Sequence, residues 1–187
     1  MNSSVLIVPG LYDSGPEHWQ SYWERARGDC RRVQQRDWQT PSRGDWVATL
    51  DAEVATMRKP PVIVAHSLGC CTVAHWAAAA TGRIARGALL VAPSDVEAPS
   101  YPAGTTGFAP MPMQRLPFAA IVVASDDDEY VTPARAAAFA EAWGARLVRI
   151  GAAGHINSAS GLGSWLEGQR LLEELLAPQA RGETRVG

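Results

Sequence analysis

Long apolar runs are missing from these 187 residues. No stretch approaches the about 18 consecutive apolar residues that a membrane-crossing helix needs. Met1-Asn2-Ser3-Ser4 carries no cationic segment, and the apolar run Val5 to Val8 behind it is too short for a signal-peptide core. A soluble, cytoplasmic protein with no membrane partner is therefore expected. An excess of charge of one sign is missing as well: 17 basic residues face 19 acidic ones, a formal net charge of -2. That leaves no basic stripe for nucleic acid or anionic lipid, and the patch Arg25, Arg27, Arg31 and Arg32 is interrupted by Asp29 and reads as solvated surface. Cysteine is scarce. Cys30 stands alone and Cys70-Cys71 are neighbours, so neither a disulfide framework nor metal-ligand spacing is present, and the adjacent pair reads as packed small apolar residues. His18, His66, His75 and His155 are scattered, with no C-x-x-C or H-x-x-x-H arrangement. No metal and no cofactor is expected, and the sequence assigns no oligomeric state.

What is present is alternation. Apolar runs of strand length near 4–8, 31–36, 61–66, 86–91, 118–124 and 146–150 are separated by helical patterns near 16–27, 43–57, 68–81, 133–143 and 163–177. This order predicts an α/β fold, a parallel sheet with helices on both faces. The length suits one domain, residues 1–177, followed by a polar, disordered tail at 178–187. Pro16 and Pro133 fit the first turn of two helices, and Gly82 and Gly144 sit where helices stop. One connection is unusual. From Ala92 to Pro117 the chain carries six prolines, Gly104 and Gly107, and no helical period. A loop of this length is either a rim or short lid over a site or an inert surface excursion.

The chemistry is concentrated at strand ends. Pro61 to Cys71, P-V-I-V-A-H-S-L-G-C-C, is a buried-strand run that stops at Ser67 and passes into an Ala-rich helix. A strand, a sharp turn and a helix N-terminus would expose the Ser67 hydroxyl at the apex, as in the G-x-S-x-G nucleophile elbow, with Ala65 in place of the first glycine and Gly69 as the second. A nucleophilic serine needs a base and a group to orient that base. The fifth strand ends in Ser125-Asp126-Asp127-Asp128-Glu129-Tyr130, and the sixth in Gly151-Ala152-Ala153-Gly154-His155. In an open parallel sheet such groups sit beyond the carboxyl ends of the strands, and the chain order Ser, Asp, His is that of α/β-hydrolases.

His155 is the candidate base. His66 abuts Ser67 and should diverge from the apex, and His75 lies too far along the helix. Periodicity does not distinguish Asp126, Asp127 and Asp128 as the acid, and Asp95 is an outside candidate. For the oxyanion, Gly10 after the first strand lets the backbone turn closely. The N–H of Leu68 and an N–H from Leu11 or Tyr12 would then be the donors. Gly10, His18, His66 and Trp165 are further candidates for contact with substrate. For Trp19, Trp23 and Trp165, packing against the sheet is the favoured role.

The set V-L-I-V-P-G, G-P-E-H-W, A-H-S-L-G, S-D-D-D-E-Y-V and G-H-I-N-S-A-S-G-L-G-S-W resembles the retinoblastoma-binding protein/YdeN family of small serine hydrolases, across nearly all of residues 4–176. The resemblance implies a three-layer α/β-hydrolase fold with no large cap, a six-stranded sheet in the order 2-1-3-4-5-6, and a Ser-Asp-His triad. In that family the catalytic Asp precedes a proline and an aromatic. Here Asp128 precedes Glu129-Tyr130, and Tyr130 keeps the register, so the resemblance selects Asp128. Retinoblastoma protein is not an expected partner, because the L-x-C-x-E string is missing.

The function expected is that of a cofactor-independent serine hydrolase acting on a small-molecule carboxyl ester, thioester or amide. Ser67, Asp128 and His155 would be its triad. The alternative is a catalytically weak binding or scaffold protein on the same fold.

Overall fold

The computed structural model describes residues 4–178; the expected tail lies outside these, apart from Pro178. Six strands, β1 (Val5–Val8), β2 (Cys30–Arg32), β3 (Val62–His66), β4 (Gly87–Val91), β5 (Ala119–Ala124) and β6 (Arg146–Arg149), form one sheet in the order β2-β1-β3-β4-β5-β6. Every pairing is parallel. The helices are α1 (Trp19–Ala26), α2 (Arg43–Ala55), α3 (Leu68–Ala78), α4 (Pro133–Trp143) and α5 (Leu166–Leu176). None is long and apolar enough to cross a membrane. The expected fold class and strand order are observed, with no large cap among the described residues.

Strand side chains point alternately to opposite faces, and each face has its own core. Leu6, Val8, Ile63, Ala65, Leu90 and Val122 pack under α2, α3 and α4, with Trp46, Trp76, Phe139 and Trp143 among the helix contributions. Val5, Ile7, Val62, Val64, Leu89 and Val123 pack under α1 and α5. Because both faces are covered, the central strands β1, β3, β4 and β5 read as continuous apolar runs rather than as alternating ones, whereas the edge strands β2 and β6 carry arginines.

Element ends depart from expectation where a local contact decides. The second strand stops at Arg32, not near residue 36. Its neighbour β1 ends before Pro9, and after Val33 N–H donates to Ile7 O at 2.9 Å the edge strand has no ladder to follow. Helix α1 begins at Trp19, capped by the His18 ring, which accepts from Gln20 N. Pro16 thus lies in the preceding turn rather than in the first helical turn. Helix α3 ends at Ala78, four residues short of Gly82, whereas Pro133 opens α4 and Gly144 closes it at φ 65°.

The 92–117 connection is tied down along its length. His75 Nε2 donates to Phe108 O at 2.7 Å, Trp143 Nε1 to Pro112 O at 2.8 Å, and Arg43 N to Thr106 O at 2.9 Å. Phe108, Met111 and Leu116 are buried against the core. Its first half, through Ser94, Tyr101 and Pro102, reaches the cavity described below, so this segment is a fixed rim.

Trp165 is packed in the core and does not line the cavity described below. Its ring lies 5.0 Å from that of Trp19 and stacks on Trp23 at 6.0 Å, and a β-carbon on Gly168 would come within 2.2 Å of it. Truncating a large, fully packed aromatic removes both transfer energy and packing. Trp165→Ala is therefore expected to lower the unfolding free energy by about 3–5 kcal/mol in urea titrations, with KM for a small ester unchanged. A shifted KM at unchanged stability would place the ring in the site after all.

Candidate active site

Ser67 sits between β3 and α3 at φ 55°, ψ -124°, a region that non-glycine residues rarely enter. The turn is held from both sides. Ser67 N–H donates to Val91 O at 3.0 Å. The end of β1 approaches so closely that a β-carbon on Gly69 would lie 2.3 Å from Val8 O, and one on Gly10 would lie 2.7 Å from Ser67 Cβ and 3.2 Å from its Oγ. Glycine at 10 and 69 is thus a condition of close approach, and Ala65, at the first glycine position of the elbow pattern, packs in the core.

The three strand ends converge. His155 Nε2 is 2.8 Å from Ser67 Oγ, and His155 Nδ1 is 2.9 Å from each carboxylate oxygen of Asp128. The Asp128 side chain is fully buried, and Tyr130 N–H donates to its Oδ1 at 2.9 Å. The neighbouring acids are spoken for. Asp126 pairs with Arg149 on the surface at 2.6 Å. Asp127 accepts from Ser125 Oγ and from Gly154 N–H, both at 2.7 Å, and these bonds, the serine's first, hold its carboxyl below the usual range. Asp95 pairs with Arg135 at 3.3 Å. Of the four carboxylates, Asp128 is the one that meets the imidazole.

Two further imidazoles flank His155. The His66 ring is 4.9 Å from His155 and the His18 ring 4.7 Å from His66. Both His18 and His66 line the cavity. His66 Nε2 donates to the carbonyl of His155 at 2.9 Å, so this ring braces the backbone of the base. Burial, then the charge of Arg32 and the proximity of His155, lowers the His18 pKa to about 3. Burial first, then His18 and His155, pushes His66 well below its ordinary value. Neither ring competes with His155 for a proton near neutrality.

At the mouth, Tyr12 N–H donates to Trp38 O at 2.9 Å, which removes it as an oxyanion donor. The N–H groups of Leu11 and Leu68 accept no such commitment among the described hydrogen bonds. Ser67, His155 and His18 open onto a cavity of about 360 Å³ whose wall is completed by Tyr101, Tyr130 and Asn157. Two of the contacts were not legible as site residues. Ser94 Oγ lies 2.8 Å from Ser67 Oγ; its place just past β4, behind Pro93, was the available signal, since strand ends carry the groups that act. Gln20, buried in α1, donates to Val64 O at 3.1 Å and steadies the strand that leads to the elbow; nothing in its helical position announced that. Among the described residues no group of three or more His, Cys, Asp or Glu side chains is placed to hold a metal ion.

A family model described as serine hydrolase matches residues 5–174. A YdeN-like hydrolase from Pectobacterium atrosepticum is 32% identical and superposes with a TM-score of 0.81, covering 95% of this chain and 94% of that one. The ydeN gene product of B. subtilis is 19% identical with a TM-score of 0.71, covering 94% and 100%. Carboxylesterase CesB of Bacillus subtilis is 11% identical with a TM-score of 0.62, covering 91% and 82%, and at that identity speaks for the fold alone. No protein of curated function matches significantly.

The buried imidazoles set a pH dependence of stability. Unfolding returns His18 from about 3 to its ordinary 6.5, so between those values the unfolded chain binds a proton that the folded chain refuses. Stability contributed this way is undiminished above pH 6.5 and falls as pH drops toward 3, at up to about 1.4 kcal/mol per pH unit for one group. His18→Asn, which keeps a cap acceptor for Gln20, is expected to flatten that slope between pH 6 and 4 in urea titrations. An unaltered slope would mean that His18 is not buried uncharged.

Proposed function

We propose that this chain, which belongs to the serine hydrolase family, cleaves small carboxyl esters, thioesters or amides through an acyl-enzyme on Ser67. The observation that carries this reading is the continuous hydrogen-bonded line from Asp128 through His155 to Ser67 Oγ.

The steps follow from the donor and acceptor inventory. A carboxylate at Nδ1 keeps the proton on that nitrogen and leaves Nε2 bare to receive the serine proton. As Ser67 Oγ bonds to the substrate carbonyl carbon, its proton passes to His155 Nε2, and buried Asp128 stabilises the imidazolium. The carbonyl oxygen becomes an oxyanion beside the N–H groups of Leu68, at the N-terminus of α3, and Leu11; such donors act on charge present only in the transition state. The proton on Nε2 then leaves with the departing alcohol, thiol or amine. Water, deprotonated by the same nitrogen, attacks the acyl carbon and frees Ser67. The cavity wall is largely apolar surface from Leu11, Pro102, Ala159 and the rings of Tyr12, Tyr101 and Tyr130, with Ser67, Ser94, His155 and Asn157 as polar members. A cavity of about 360 Å³ suits a small acyl group.

Fluorophosphonate labelling and p-nitrophenyl acetate turnover test this. Wild type is expected to take the label. Ser67→Ala should abolish it and lower kcat by at least about 10⁴-fold. Asp128→Asn should cost about 10⁴-fold, because the amide favours the wrong imidazole tautomer, while Asp126→Asn retains activity within a few-fold. An unlabelled wild type, or full turnover by Ser67→Ala, removes the reading.

A further inference from the structure

Ser67 Oγ has two neighbours within hydrogen-bond distance, and the mechanism above uses one of them. The other is Ser94 Oγ at 2.8 Å, on a residue only 1% exposed. Its position is enforced. Ala92, at φ 49°, turns the chain off β4 and is anchored by its N–H to Val123 O at 2.8 Å. The carbonyl of Ser94 accepts from Cys71 Sγ at 3.4 Å, and Asp95 N–H donates to Tyr130 O at 2.9 Å. The segment is thereby fastened to α3 on one side and to the loop of the triad acid on the other.

The direction of the bond between the two hydroxyls follows from proton counting. Asp128, with both oxygens at 2.9 Å, fixes a proton on His155 Nδ1, so Nε2 of the neutral ring is an acceptor. The single hydroxyl proton of Ser67 is then committed to Nε2. What remains on Ser67 Oγ is lone-pair density, and Ser94 must be the donor toward it. The phenol of Tyr101 lies beside Ser94 and is held protonated, mainly by burial, so it has a proton of its own to donate to Ser94 Oγ, which leaves the Ser94 proton for Ser67.

We propose that Ser94 is a further catalytic residue, a hydroxyl that donates to the nucleophilic oxygen itself. The proposal rests on the serine-hydrolase reading of the site. When Ser67 Oγ bonds to the carbonyl carbon and its proton moves to His155, negative charge grows on Oγ before the new bond consumes it. In deacylation the Oγ–carbon bond breaks, its electron pair returns to Oγ, and the proton on His155 follows. Ser94 keeps its own proton in both steps. A hydrogen bond to a charged acceptor is roughly twice as strong as one to a neutral hydroxyl, so the contact is stronger in both transition states than in the resting enzyme. It makes no demand on the acyl group or the leaving group, so it acts on rate and not on binding.

The experiment compares wild type, Ser94→Ala and Ser94→Thr in fluorophosphonate labelling rate, in kcat and KM for p-nitrophenyl acetate, and in melting temperature. Ser94→Ala is expected to slow labelling and kcat together by about tenfold, with about a hundredfold as the ceiling, at unchanged KM and within a few degrees of the wild-type melting temperature. Ser94→Thr, which restores the hydroxyl, should stay within about threefold of wild type by the same argument. Labelling of Ser94→Ala at the wild-type rate overturns the proposal, as does a Thr variant as slow as Ala, because the hydroxyl is then irrelevant. A wild-type protein that takes no label at all defeats the hydrolase reading instead, and the two failures are thus separable.

Discussion

Everything at the reaction centre depends on how closely the end of β1 can approach the turn between β3 and α3. Ser67 occupies a backbone conformation that costs on the order of 1–3 kcal/mol, and it holds there because its surroundings leave no alternative. The register fixes one side, with His66 opposite Val91 and Val8 opposite Ala65. The other side is the bare backbone of Gly10 and Gly69, where any side chain would meet Ser67 or the carbonyls of Val8 and Pro9. The same proximity sets the Gly10 backbone against the turn that opens α3. One steric condition therefore sets the direction of the Ser67 hydroxyl.

The second condition is electrostatic. The His66 ring neighbours both His18 and His155, and adjacent imidazoles would repel if more than one were charged. Here the flanking rings have structural employment that suits neutrality. His18 accepts from the N-terminus of α1, and His66 donates to the carbonyl of His155. Burial removes both from titration near neutral pH, and His155, alone of the three, has a buried carboxylate at its Nδ1.

The architecture was legible because both faces of the sheet are covered. That makes the four central strands, β1, β3, β4 and β5, unbroken apolar runs, and parallel pairing puts the ends of β3, β5 and β6 on one edge, where Ser67, Asp128 and His155 meet. Boundaries were less legible, since they depend on partners elsewhere in the chain: β2 stops where β1 does, and α1 starts where His18 can cap it rather than at Pro16. Among the site residues, Tyr12 and Leu11 looked equivalent, because a sequence does not say which N–H a distant carbonyl such as that of Trp38 will occupy. Trp165, for which packing was the favoured role, and Ser94, which the sequence did not single out, differ in how conspicuous they are. The aromatic, conspicuous in the chain, belongs to a cluster with Trp19 and Trp23, whereas the small serine, inconspicuous, is carried to the nucleophile by the turn at Ala92.

The tryptophan cluster also explains how a base on an irregular segment can be as well placed as a nucleophile on a strand. Residues 150–165 contain one turn of 3₁₀ helix, Ser158–Ser160, and otherwise no regular structure. A segment of that kind would ordinarily be the mobile end of the stability spectrum. Here it is pinned from several directions. Trp19 Nε1 donates to Ile156 O and Trp23 Nε1 to Ser164 O, each at 2.8 Å. Ser160 Oγ donates to Ala153 O at 2.6 Å, and Asp127 accepts from Gly154 N–H. The bond from Trp19 acts on the residue immediately after His155, and the one to Asp127 on the residue immediately before it. The imidazole is thus clamped on both sides by groups that belong to other elements, one of them the neighbour of the triad acid. The run of three aspartates is therefore not redundant: Asp126 closes the surface against Arg149, Asp127 holds the peptide that carries the base, and Asp128 orients the ring that peptide delivers.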